Sequence, residues 1–284
     1  MEIEKITDND LDKILFTEDK VVYLREMEFK TSGDRFSTGF KPFDNALDGG
    51  VKDGDLVIIS GRSGEGKTTF AQTLTYHFCK RAIPCLWFSY EVSLKEVDKK
   101  FRAMGMNDFY EVVVPEKNTS GKIEWITEKI KESWVKYATK IVFIDHIDFL
   151  VPRDCRSSDN EQATLKRIAT ELKQLAIDLE IVIITMAHIK KIDQNKDPDL
   201  YDIGYSAGIF QLADTVFMIS RERQKKNYSL DSGVSYTNNT IVKICKNRQT
   251  GTLNYLRLNY NNGKFNEISG RTDEPETQFS WADK

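Results

Sequence analysis

Gly61-Arg62-Ser63-Gly64-Glu65-Gly66-Lys67-Thr68 decides how this chain reads. The stretch fits the phosphate-loop pattern Gly-x4-Gly-Lys-Ser/Thr at every fixed position. Val57, Ile58 and Ile59 precede it as a short apolar, β-branched run, the composition of a buried strand. Phe70, Ala71, Leu74 and Phe78 follow at helical spacing. Strand, glycine loop and helix are the context that the pattern requires. Glycines let the backbone wrap a phosphate with its N–H groups turned inward, and the helix N-terminus adds the positive end of its dipole. Gly61, Arg62, Ser63, Gly64, Glu65, Gly66, Lys67, Thr68 and Thr69 are therefore the expected nucleotide-binding stretch. In it, Lys67 reaches the β- and γ-phosphates and the Thr68 hydroxyl holds Mg2+.

Working outward, the chain alternates apolar runs with helical patterns, which is the order of an α/β fold built on a mostly parallel sheet. Cys85-Leu86-Trp87-Phe88-Ser89 reads as a second buried strand, so Glu91 stands at the carboxyl end of a core strand, where open α/β sheets bind ligands. Position alone leaves two readings of Glu91 open: a base that orients and deprotonates water, or a solvated glutamate ahead of the helix that begins near Ser93. Residues 94–104 look helical, Glu111–Val114 reads as a short strand, and residues 122–138 carry Ile123, Ile126, Ile130 and Trp134 on one core stripe. Ile141-Val142-Phe143-Ile144-Asp145 has the Walker B pattern, four apolar residues delivering a carboxylate beside the loop to hold Mg2+. His146 and Asp148 follow, with His146 read as a packed side chain.

Leu165, Ile168, Ala169, Leu172, Leu175, Ala176 and Leu179 form a clean helical stripe. Ile181–Met186 is another buried strand, and His188 stands just past it, able to contact a γ-phosphate or simply structural. Residues 189–206 mix Lys190, Lys191 and Lys196 with four aspartates; these lysines are the candidates for phosphate contacts to single-stranded nucleic acid, and the acidic residues weaken that reading. A helix near 207–213 and a strand at 215–220 come next. Two strands at 240–245 and 253–258 frame a hairpin tip at Lys246–Gly251, and Asn261-Asn262-Gly263-Lys264 is a further turn.

The chain has 284 residues and a net charge of −3, with 30% charged residues. That balance excludes a globally basic nucleic-acid binder but leaves room for a local basic loop or a pore shared among subunits. Cys79, Cys85, Cys155 and Cys245 form no CxxC pair and show no metal-ligand spacing with the histidines, so free thiols in a reducing compartment are expected. No apolar run approaches the roughly 18 residues of a membrane span. A cytoplasmic or nucleoid-associated protein is expected.

Taken together, these motifs resemble RecA-like replicative helicases of the DnaB type, including the phage primase-helicases and the mitochondrial helicase Twinkle, over about residues 36–268. Phe36-Ser37-Thr38-Gly39-Phe40-Lys41-Pro42-Phe43-Asp44 is similar to the segment that leads into that domain. Trp87-Phe88-Ser89-Tyr90-Glu91 is similar to the family's second motif. Ile144-Asp145-His146-Ile147 resembles the phage-branch Walker B segment, and Thr185-Met186-Ala187-His188-Ile189-Lys190 resembles the γ-phosphate-sensing motif. Ser206–Asp214 resembles the segment after the DNA-binding loop.

The resemblance implies a RecA-like ATPase fold with a mostly parallel twisted sheet and a C-terminal β-hairpin. It implies ATP and Mg2+ as ligands, with Glu91 as catalytic base, Lys67, Thr68 and Asp145 in the phosphate and metal site, and His188 as sensor. Arg248 becomes the arginine finger, with Lys246 and Arg221 beside a neighbour's nucleotide. It further implies a homo-hexameric ring around single-stranded DNA, a separate primase, polymerase or loader as partner, and no membrane. The expected organisation is a subunit-docking linker at 1–35, the motor domain at 36–269 and a loose tail at 270–284. No primase, zinc-binding or helical N-terminal domain accompanies the motor, so assembly would rest on the linker or a partner, or the chain is a fragment. A second class stays open: a RecA/RadA-type filament protein or KaiC-like ring in which ATP gates assembly or binding without unwinding. Phe210-Gln211-Leu212-Ala213 matches the recombinase polymerisation pattern Phe-x-x-Ala, although its place in a short helix favours core packing.

Overall fold

A computed structural model describes residues 33–106, 112–115, 122–152, 158–188, 207–224 and 235–268. β1 (Arg35–Phe36) pairs antiparallel with β2 (Val51–Lys52), and α1 (Lys41–Ala46) lies between them. The core strands are β3 (Leu56–Gly61), β4 (Cys85–Ser89), β5 (Val112–Val113), β6 (Ile141–Asp145) and β7 (Val182–His188). They are interleaved with α2 (Lys67–Cys79), α3 (Leu94–Ala103), α4 (Ile123–Tyr137) and α5 (Ser158–Asp178). The short α6 (Ala207–Leu212) then leads into β8 (Thr215–Gln224), β9 (Ser235–Asn247), β10 (Asn254–Asn261) and β11 (Lys264–Glu267).

These strands form one nine-stranded sheet in the order β11-β10-β9-β8-β3-β7-β6-β4-β5. The strands from β8 to β5 pair in parallel, and β9, β10 and β11 extend the sheet antiparallel. The expected RecA-like arrangement is thus present, with the C-terminal hairpin enlarged to three antiparallel strands.

β3 explains why its sequence lacks polar alternation. All six of its residues are buried, with Val57 and Ile59 in the core on one face and Leu56 and Ile58 in the core on the other. A parallel strand covered by helices on both faces needs apolar residues at every position. The first core takes Phe43 of α1, Phe70, Leu74 and Phe78 of α2 and Phe101 of α3. The second takes Ile126 and Ile130 of α4, Leu172 and Ala176 of α5 and Phe210 of α6. Trp87 anchors the first core: it stacks on Phe143 at 4.8 Å, and its indole N–H donates to Thr75 Oγ1 at 3.0 Å. Ser93 caps α3 by accepting from the Glu96 N–H, the start expected there.

Several boundaries differ from the sequence reading. Trp134 is only partly buried, and Ser133 takes the core position on α4, where its hydroxyl pairs with Thr139. β9 runs on through Lys246 and Asn247, so the hairpin tip is residues 248–253. Asn262 and Gly263 both adopt positive φ, 52° and 80°, the two-residue hairpin geometry that Asn-Gly favours, and join β10 to β11. Residues 1–32 and 269–284 lie outside the described residues, and with them nearly all of the expected linker and the tail.

Candidate nucleotide site

The phosphate loop occupies residues 61–66 and opens directly into α2. Gly66, the residue before that helix, has φ +100°, and a Cβ there would meet the Phe265 ring at 2.9 Å. Only glycine satisfies both constraints. β11 is held over α2 by the Phe265 N–H, which donates to Thr73 Oγ1 at 3.1 Å, so the last strand of the sheet closes over the loop. Inside the loop Glu65 is buried and approaches Arg62 at 3.8 Å.

Lys67 is buried, and its ammonium donates to Gly61 O at 3.0 Å and Arg62 O at 2.9 Å. Burial pulls its pKa down, opposed by the nearby charges of Glu91, Asp145, Glu65 and Asp148. A desolvated cation on inward-turned backbone is suited to an anion. Thr68 Oγ1 donates to Asp145 Oδ2 at 3.0 Å. Burial pushes the Asp145 carboxyl up, opposed by that hydrogen bond. A hydroxyl and a buried carboxylate are hard oxygen donors, so this pair fits Mg2+.

Glu91 reaches the same end of the sheet. Ser89 and Asp145 are register partners in the parallel β4–β6 pair, and the Tyr90 N–H donates to Asp145 O at 3.0 Å. The chain therefore leaves β4 beside the end of β6, with Glu91 exposed to solvent. His188 arrives from the other side, opposite Gly61 in the parallel β3–β7 register.

Sequence reasoning missed one feature. His146 is more than a packed ring: it lies with Asp148 and His188 in a compact group at the mouth of the site. His188 Nδ1 hydrogen-bonds Asp148 Oδ2 at 3.1 Å, and the two imidazoles meet edge to face at 4.3 Å. Burial works against ionisation of Asp148, but the two imidazoles outweigh it and hold its carboxyl below the usual carboxylate range. The available signal was the neighbouring placement of β6 and β7, which sets residues just past one strand beside those ending the other.

The expected interface residues separate. Ile219 is the register partner of Gly61, so Arg221 lies at the phosphate-loop end of β8, where its guanidinium donates to Thr237 O at 3.1 Å. Lys246 and Arg248 lie at the other end, because Asn247 pairs with Thr215 and Thr215 with Val57. At about 3.3 Å per strand residue, the six steps of β8 from Thr215 to Arg221 span roughly 20 Å. Lys246 Nζ donates to Phe210 O and Gln211 O, at 2.7 and 2.9 Å, on the last turn of α6. Arg248 donates to Gln211 O at 2.8 Å and pairs with Asp214 at 3.2 Å. Phe210 and Ala213, the polymerisation-like pair, are both buried in the core. Lys190, Lys191 and Lys196 lie outside the described residues.

The profile of the DnaB-like helicase C terminal domain matches residues 36–107 and 102–267. This chain belongs to that family. Members similar to it include the replicative DNA helicase DnaB of Haemophilus influenzae, 25% identical over 297 aligned residues, covering 92% of this chain and 60% of the relative. The DNA repair protein RadA of Escherichia coli is 32% identical over 160 residues, 55% of this chain and 32% of the relative. The chain thus spans less than two thirds of either relative's length. Among solved structures, a DnaB-like replicative helicase, described together with its interactions with primase, superposes with a TM-score of 0.69 at 22% identity, over 82% of this chain and 62% of that one. The KaiC-like protein PH0186 of Pyrococcus horikoshii gives 0.61 at 16% identity, over 83% and 99%. Both likenesses concern the RecA-like fold. No helix among the described residues is long and apolar enough to cross a membrane.

Proposed function

We propose that this chain is the ATP-hydrolysing motor of a DnaB-like replicative helicase, working as a hexameric ring on single-stranded DNA. One observation carries the reading: the phosphate loop, Glu91, Asp145 and His188 meet at the carboxyl ends of β3, β4, β6 and β7, while Arg248 lies at the opposite end of the sheet. The distance of Arg248 from its own loop supports a role at a neighbour's nucleotide, as a ring motor needs.

In this reading the loop N–H groups and Lys67 bind the ATP phosphates, and Thr68 and Asp145 hold Mg2+. When bound, Mg2+ neutralises charge on the β- and γ-phosphate oxygens. Glu91 orients the attacking water and accepts its proton. Arg248 of the adjoining subunit leaves Asp214 and stabilises the charge that develops on the transferred phosphoryl group. His188 contacts the γ-phosphate and passes its loss to the segment at 189–206, which holds the DNA contacts. A primase is a fitting partner, since the similar solved helicase is described with its primase interactions. A cytoplasmic or nucleoid location follows from this role.

The RadA likeness favours a second reading, an ATP-gated DNA-binding assembly without unwinding. A forked-duplex displacement assay separates the two. The motor releases the labelled strand with ATP and Mg2+, and Lys67→Ala abolishes release. ATP-dependent DNA binding with no strand release would overturn the motor reading.

A further inference from the structure

His146 and Asp148 come from the segment that follows β6, and His188 from the end of β7. His146 Nδ1 and His188 Nδ1 each lie 3.1 Å from the same oxygen, Asp148 Oδ2. Only one of these contacts is a hydrogen bond. His188 makes it, whereas His146 Nδ1 is buried without a hydrogen-bond partner despite its proximity. His146 is 8% exposed, so solvent scarcely reaches its ring. A buried imidazole nitrogen beside a carboxylate but off its hydrogen-bond direction, with a second imidazole on the same oxygen, is an arrangement that an ion between the three groups satisfies better than a proton does.

We propose that His146, Asp148 and His188 form a binding site for a divalent transition ion of the zinc class. Two imidazole nitrogens and a carboxylate oxygen suit such ions and do not suit Mg2+, which takes oxygen donors. The spacing agrees: metal–ligand bonds of about 2.0–2.1 Å put tetrahedral ligand atoms roughly 3.3 Å apart, close to the two separations found. The three ligand atoms all lie within 4.8 Å of one another. Asp148 and His188 keep 28% and 36% side-chain exposure, which leaves an open side for water to complete the shell. The site is distinct from the Thr68–Asp145 pair, whose donors are both oxygens.

The ion would engage His188 Nδ1, so occupancy would withhold the residue assigned above to the γ-phosphate; that consequence, unlike the site itself, rests on the motor reading. Calorimetric titration of the full chain with Zn2+, without nucleotide and with Mg2+ in excess, tests the site independently of ATPase activity. The expected result is a single Zn2+ per chain with micromolar or tighter affinity, weakened at least about tenfold by Asp148→Asn or His188→Gln and unchanged by His77→Gln on α2. Absence of saturable binding to the wild type overturns the proposal. So does equal binding by the ligand variants. The visible spectrum of wild type loaded with Co2+ decides the same point without any substitution: weak ligand-field bands support nitrogen and oxygen donors, and an intense thiolate charge-transfer band assigns the ion to cysteine and overturns the site.

Discussion

Gly61 and His188 stand opposite each other in the parallel register of β3 and β7. The residue that opens the phosphate loop and the residue expected to sense its cargo are thus held on adjacent strands of one rigid sheet. In the proposed mechanism, a rearrangement at the loop would reach the segment beyond His188 through a single strand pair. Asp148 adds a second tie, since its carboxylate accepts from His188 and belongs to the segment that follows Asp145.

His188→Asn should therefore uncouple the two ends of this path. The variant is expected to bind ATP within about threefold of wild type, because the loop N–H groups and Lys67 are untouched. Stimulation of its hydrolysis by single-stranded DNA should fall at least about tenfold, while basal hydrolysis falls less. Steady-state ATPase assays with and without oligonucleotide measure both. Equal losses in the two rates would assign His188 to chemistry alone.

Glu91→Gln should separate binding from hydrolysis. Glu91 is exposed and stands two residues beyond the Ser89–Asp145 register pair, so losing its charge should barely disturb the fold. The expected kcat falls by about 10²–10⁴, the usual contribution of a positioned general base, while ATP still raises the melting temperature. Hydrolysis near the wild-type rate would return Glu91 to the solvated role that its position also allows.

Arg248→Ala is expected to lower kcat by about 10³ without weakening ATP binding. Within its own subunit Arg248 is half-exposed, so its departure from Asp214 moves no buried cation. Asp214 keeps Lys173 at 2.6 Å when the arginine departs. Reaching a neighbour is therefore cheap. Mixing Arg248→Ala with Glu91→Gln subunits tests whether the arginine acts across an interface: interfaces that join the intact Glu91 of one variant to the intact Arg248 of the other recover activity. No recovery in mixed assemblies would confine Arg248 to its own chain.

Much of this architecture was legible because its signals are local. The phosphate loop, the Ile141–Asp145 strand and the apolar runs each declare themselves within a few residues, and a both-faces-buried strand such as β3 cannot hide its composition. What escaped depends on pairing between distant segments. His188 meets Asp148 across 40 residues, and Lys173 meets Asp214 across 41. Arg248 and Lys246 looked like a free hairpin tip, yet both reach the end of α6, some 35 residues earlier. Asp55 gave no sign in the sequence of its burial against Asp214 and Gln249. Charge alone does not reveal which partner folding supplies.

That buried carboxyl yields a pH prediction with a definite sign. Burial, aided by Asp214, pushes Asp55 up to about 6 from 3.8. The folded state holds this proton more tightly than the unfolded chain, so the contribution to stability is complete below about pH 4 and is lost as pH rises through 6. His77 runs the other way. Burial, with Arg81, Lys264 and Lys80 nearby, pulls it down to about 4 from 6.5. Its contribution is complete above about pH 6.5 and is lost as pH falls toward 4. Asp55→Asn should therefore gain on wild type as pH rises from about 4.5 to 7, and His77→Gln as pH falls over the same range, by a few degrees in Tm each. Melting curves of both variants against wild type at the two pH values check this; difference curves of the same sign would contradict it.

The most direct test of the account is the ATPase rate of the assembled protein with and without single-stranded DNA, with the mass of the assembly measured on the same samples. The account predicts a six-membered ring whose hydrolysis rises strongly with DNA and vanishes in Glu91→Gln. ATP hydrolysis that DNA changes neither in rate nor in assembly would contradict it and leave an ATP-gated regulatory ring in its place.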